Sequence, residues 1–91
     1  MPRVLIVSYD LVNPGRTYEP LLKRIKSNSG WATLGGSAYL ILSDQTPEQV
    51  RDDLLKALDA NDKIYVGVSP APSAWYGLPE DVARWILANQ K

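Results

Sequence analysis

Neither histidine nor cysteine occurs in the chain, which excludes imidazole bases, thiolate nucleophiles, disulfides and zinc–cysteine clusters. The groups left for chemistry are Asp, Glu, Lys, Arg, Tyr, Ser and Thr. Their oxygens are hard donors, matched to Mg²⁺ or Mn²⁺ rather than to zinc, haem or a redox cofactor. One carboxylate is better placed than the rest. Asp10 ends the apolar run Val4-Leu5-Ile6-Val7-Ser8-Tyr9, and Ser8, two residues earlier, shares its side of an extended strand. A catalytic role for this pair stands against a bland one, in which Asp10 opens a turn by bonding the backbone of Val12 or Asn13. The acidic neighbours Asp52-Asp53 and Glu80-Asp81 fall in helical patterns, where adjacent side chains point about 100° apart and chelate poorly.

The cations follow a different pattern. Ten basic and ten acidic side chains give zero net charge, against the basic excess of a dedicated nucleic-acid binder. The balance is uneven along the chain. Residues 1–42 carry five basic groups against two acidic, and residues 43–91 carry five against eight. Arg16, Lys23, Arg24 and Lys26 are the candidate phosphate contacts of the first part; the alternative is a solvated helix face.

These residues need a scaffold, and the 91 residues allow one domain. Val4–Tyr9, apolar on both parities, predicts a central strand. Asn13-Pro14-Gly15 is turn chemistry. Thr17 is a candidate N-cap for a helix whose inner face is Tyr18, Leu21, Leu22 and Ile25. Gly35-Gly36 predicts a two-residue hairpin turn between strands over 31–34 and 37–43. That register puts Trp31, Thr33, Ala38, Leu40 and Leu42 on one face, and Ala32, Leu34, Tyr39 and Ile41 on the other. Thr46-Pro47-Glu48-Gln49 is a capping-box helix start, followed by the stripe Val50, Leu54, Leu55, Leu58 and a close at 60–62. Residues 63–68 predict a last strand.

The Pro-rich stretch 69–78 reads as an extended connector, with Trp75 and Tyr76 pinning it to the sheet. A terminal helix over 79–90 has Val82, Trp85 and Ile86 inside, and Trp31 joins Trp85 as core. The expected fold is α+β, a ferredoxin-like βαββαβ sandwich (core 3–68) with an additional C-terminal helix, its first and third strands central. Two helices cover one sheet face, leaving the other for the terminal helix or a partner. Tyr39 and Ile41 are the candidate dimer contacts on that second face. No run is long enough to span a membrane, and the N-terminal apolar stretch is too short for a signal peptide; the expected location is cytoplasmic.

Several motifs, in order, resemble a known group. Val7-Ser8-Tyr9-Asp10, Tyr9-Asp10-Leu11, Pro14-Gly15-Arg16-Thr17-Tyr18, Trp31 before Ser37, Asn61-Asp62-Lys63, Trp75-Tyr76-Gly77 and Trp85-Ile86-Leu87 together resemble the SinR-like group. That group lies within the superfamily of small CRISPR-associated Cas two proteins and VapD-type toxin ribonucleases. The resemblance implies a ferredoxin-like homodimer with sheets packed face to face, and a divalent metal held near the dimer axis by the aspartate matching Asp10. It implies a nuclease in which Asp10 from each subunit holds Mg²⁺ or Mn²⁺; the residues themselves add Ser8, beside Asp10 on the strand, as a group to position water or phosphate. The chain departs from the pattern in two places: the basic residues after the first strand reduce to Arg16, and a connector and helix follow the last strand. Two functions therefore stand side by side, a metal-dependent nuclease cleaving RNA or DNA and a non-catalytic dimeric scaffold or partner-binding module.

Overall fold

The computed structural model describes residues 2–12 and 18–91. Arg16, the turn at 13–15 and the candidate cap Thr17 lie outside the described residues. The elements run β1 (Arg3–Asp10), α1 (Glu19–Lys26), β2 (Gly30–Gly35), β3 (Ala38–Ser43), α2 (Pro47–Leu55), β4 (Lys63–Val68) and α3 (Glu80–Asn89). The fold is a small α+β unit: one four-stranded sheet, ordered β2-β3-β1-β4 with antiparallel neighbours, and three helices. β1 and β3 are central, as their apolar runs predict. No helix among the described residues is long and apolar enough to cross a membrane.

Strand alternation sorts β1 between two cores. Leu5 and Val7 are fully buried under α1 and α2, with Leu21, Ile25, Tyr39, Ile41, Val50 and Leu54. Complete burial of a Leu or Ile stabilises by about 1.5–3 kcal/mol, so this cluster is the main source of stability. On the opposite face Val4 packs with Ala32, Leu40, Val82 and Ile86 beneath α3, flanked by Ile6, Leu34, Leu42 and Trp85. The terminal helix therefore covers the second face from within the same chain, leaning towards β2.

The hairpin differs from expectation by one residue. Gly35 pairs with Ala38 and Trp31 with Ile41, with an irregularity between Thr33 and Gly35. Positive φ angles at Gly35 (92°) and Gly36 (55°) make that geometry accessible. A one-residue shift exchanges faces along a strand. Trp31 and Thr33 accordingly join Tyr39 and Ile41 on the α1/α2 side, and Ala32 and Leu34 turn towards α3. Trp31 is not core: on the edge strand it stays 39% exposed. Its ring lies 6.1 Å from that of Tyr39, and the Lys26 ammonium sits 4.6 Å from its centroid, a cation–π contact.

In α2 the start follows the sequence and the end does not. Thr46 Oγ1 accepts from the Gln49 amide at 3.1 Å and Gln49 Oε1 accepts from the Thr46 amide at 3.0 Å, completing the capping box. After Leu55 the chain tightens, with the amides of Lys56, Ala57 and Leu58 each bonding the carbonyl three residues back. Ala57 enters the core there, and Leu55 stays outside at 48% exposure. At the other end of the chain Gln90 helps to hold the connector, and of its two aromatics only Trp75, 38% exposed, lies beside α3. Gln90 Nε2 donates to the Ser69 carbonyl at 2.9 Å, Gln90 Oε1 accepts from Ser73 Oγ at 2.5 Å, and Tyr76 is fully exposed.

Thr46→Ala removes the side-chain half of the capping box, leaving the bond from the backbone amide at 46 to Gln49, and should cost about 1 kcal/mol, measured by urea unfolding, while Thr46→Ser should retain most of it. Leu54→Ala should cost about 2–5 kcal/mol, several times more.

Candidate functional site

α3 does not reach the far end of its sheet face. Beyond Val4 and Ile6, the β1 residues Ser8 and Asp10 point to the same side and are exposed. The register places Lys63 of β4 opposite Asp10 and Tyr65 opposite Ser8. Partners directly opposite point to the same face. Four polar or aromatic side chains, Ser8, Asp10, Lys63 and Tyr65, therefore share one open strip across two strands. They line a shallow depression of about 210 Å³ with Tyr9 and Ile64. A larger, mainly apolar hollow of about 540 Å³ lies at the opposite end of β1, lined by Val4, Leu42, Val68 and Pro70 with Arg3 and Lys91; it holds no acidic side chain.

Of the two backbone groups that a turn role for Asp10 would bond, Asn13 lies outside the described residues. The other, the Val12 amide, donates instead to Asp62 Oδ1 at 3.0 Å. The other oxygen of Asp62 accepts from the Asp59 amide at 2.9 Å. This single carboxylate ties the segment leaving β1 to the turn entering β4. Asp10 makes no hydrogen bond or ion pair with the described residues, although Lys63 stands across from it. Among the described residues no three acids come together as a metal-binding group.

The remaining candidates separate in space. Ser8 joins Asp10 as parity predicts. Lys23, Arg24 and Lys26 lie on α1, which packs against the other face of the sheet, so they cannot line one surface with Asp10. Arg24 is further engaged by Asp53, at 2.8 Å with both side chains about two-fifths exposed; at that exposure the pair contributes about 0.2–1 kcal/mol. Lys26 is drawn over Trp31. Tyr39 and Ile41, the candidate dimer contacts, are buried in the main core at 9% and 0% exposure, beneath α1 and α2. The hairpin's actual register does not move them, because β3 keeps its own alternation; they face the two helices instead of the open side, so neither presents surface to a partner.

Lys63 and Tyr65 are the site residues that local sequence did not single out. Their signal is the pairing of β4 with β1, a contact across more than fifty positions of chain. Tyr9 lies on the opposite parity, against the main core. Burial, and secondarily the neighbouring Tyr39, raise its phenol above the ordinary tyrosine value of 10.0. No family model, curated protein or solved structure matches the chain.

The raised Tyr9 titration fixes a sign. Between the unfolded value, about 10, and the higher folded one, the folded state holds the extra proton. Stability is then present below pH 10 and lost as pH rises through that window. Urea midpoints should fall more steeply above about pH 10 in the wild type than in Tyr9→Phe; identical slopes would remove Tyr9 as the cause.

Proposed function

We propose that this chain is a divalent-metal-dependent nuclease acting as a cytoplasmic homodimer on RNA or DNA. In this reading it is akin to the SinR-like group among the small CRISPR-associated Cas two and VapD-type proteins. The observation that carries the proposal is Asp10: an exposed carboxylate at the end of a central strand, beside Ser8, with the Val12 amide bonded by Asp62 instead. The finer fold belongs to the same proposal. A ferredoxin-like sandwich has β1 and β3 central, antiparallel neighbours throughout, and both crossover helices on one face; the order β2-β3-β1-β4 supports it.

One carboxylate is too few for a hard cation that prefers six oxygens, but a two-fold axis beside the open end of β1 would supply a second Asp10. The donors then fit Mg²⁺ or Mn²⁺ completed by water. Such a metal supplies a more acidic bound water and neutralises charge developing on a phosphodiester. The chain's own groups do the rest. The Ser8 hydroxyl holds a water or phosphate oxygen, and the Lys63 ammonium takes a phosphate. With α3 seated on the second face, sheets cannot pack over their whole breadth, so the two copies meet at the uncovered end.

The Lys63–Asp10 register favours a second reading, because opposite charges placed cross-strand also stabilise a sheet without doing chemistry. Under it the chain is a non-catalytic dimeric scaffold or partner-binding module.

Purified protein should cleave single-stranded RNA or DNA with Mg²⁺ or Mn²⁺ and stop in chelator, and Asp10→Asn should reduce cleavage to the chelator background. Equal activity in Asp10→Asn would remove the metal site. A dimer by light scattering with no cleavage in either metal would leave the scaffold, and a monomer at tens of micromolar, about the range of common weak association, would remove the shared site.

A further inference from the structure

The four-stranded sheet has two edges, β2 and β4. Edges are usually guarded by charge, proline or irregular backbone, because their unpaired N–H and C=O groups accept any extended chain. β4 opens with Lys63 and is followed by Ser69-Pro70. β2, Gly30-Trp31-Ala32-Thr33-Leu34-Gly35, carries no charge and no proline. Its pairing with β3 is regular from Gly30 to Thr33.

The outward groups of β2 follow from one hydrogen bond. The Tyr9 amide donates to the Ser37 carbonyl at 3.0 Å, continuing the β1–β3 register. Bonded pairs alternate along an antiparallel ladder, so Tyr39 and Ile41 turn their backbone groups towards β1. Leu40 and Leu42 turn theirs towards β2, where they meet Ala32 and Gly30. The N–H and C=O of Trp31 and Thr33 are left pointing off the sheet, spaced for an added strand.

The side chains beside this edge define what it takes. On the α1 side, the Trp31 ring is 39% exposed and the Lys26 ammonium lies 4.6 Å from its centroid. Lys23 stands one turn earlier on α1, and neither lysine forms an ion pair with the described residues. On the α3 side, a Cβ at Gly30 would meet the Trp85 ring at 3.3 Å. The indole therefore lies over the start of β2, next to buried Ala32. A residue paired with Trp31 points to the face that holds Lys26. Its neighbours in the added strand point to the face of Ala32 and Trp85. The first position suits a carboxylate and the others suit apolar side chains. A second copy's β2 has no carboxylate to offer.

We infer that β2 is a docking edge for an extended segment of a partner protein, one that alternates acidic and apolar side chains with its acids towards Lys26. Main-chain bonds to Trp31 and Thr33 hold the segment, and the alternation sets its register. The inference is independent of the nuclease reading, because it uses neither Asp10 nor the open end of β1.

The probe is a capped peptide of alternating valine and glutamate, about seven residues long to match a common strand length. It is titrated to about 1 mM, the weak end of measurable association, into isotope-labelled protein while NMR follows amide hydrogen exchange. In the free protein the Trp31 and Thr33 amides should exchange fast and the Ala32 amide slowly. The peptide should slow Trp31 and Thr33 and leave Ala32 unchanged. It should bind about fivefold more tightly than a valine–lysine counterpart, the range of one exposed ion pair, and Lys26→Glu should reverse that order. Methylating the glutamate amides, which keeps every side chain, should abolish binding. Lys26 is exposed, so Lys26→Glu should keep the wild-type spectrum away from β2.

No slowing at Trp31 and Thr33, slowing along β4 instead, equal binding of the lysine peptide, or undiminished binding of the methylated one each overturns the inference. So does protection of both amides without peptide that grows with protein concentration, which would give the edge to a second copy. Cleavage that requires Asp10 would survive any of these results.

Discussion

The structure depends on the alternation of β1. Strands pair with it on both sides, and its side chains alternate between two faces that must both be covered. The odd-numbered positions Leu5 and Val7 reach complete burial under α1 and α2. The even-numbered positions start the same way, with Val4 at 3% exposure beneath α3, and end at Ser8 and Asp10 in solvent. α3 covers the second face partway along the strand. The candidate site is the remainder of that face, and its polar composition follows from the limit of the helix.

Each residue that sequence placed well rests on a local rule. The capping box at Thr46–Gln49 needs only neighbours within one turn. The inner faces of α1 and α3 need only helical spacing, and the pairing of Ser8 with Asp10 needs only parity along one strand. The central positions of β1 and β3 were legible because apolar runs on both parities demand cover on both sides. Misplaced residues depended on something beyond their own segment. Trp31 changed faces because the hairpin irregularity at Thr33–Gly35 slips the register by one. Tyr39 and Ile41 alternate as expected along β3, but which face α1 and α2 would choose is a tertiary outcome. Leu55 yielded to Ala57 because the chain after α2 tightens its turn instead of continuing the helix.

The site was legible in part for the same reason. Asp10 and Ser8 stand on one strand, and no local pattern links them to Lys63 or Tyr65. Those two enter when β4 docks against β1 and sets Lys63 against Asp10 and Tyr65 against Ser8. Conversely, the basic residues of α1 looked like companions of Asp10 in a linear view, and the sheet puts its own thickness between them. Net charge misleads in the same way: zero over the whole chain says nothing of a strip that holds one acid and one base side by side.

The Asp62 carboxylate bonds one amide on each side of the gap, Val12 after β1 and Asp59 before β4. It buttresses the two segments that flank the strip. The conformational freedom of that rim is lost once, when the chain folds, rather than each time something is bound. A ligand of the strip would meet two flanking segments already tied together, so the entropy that a loose loop would charge against affinity is absorbed into stability instead.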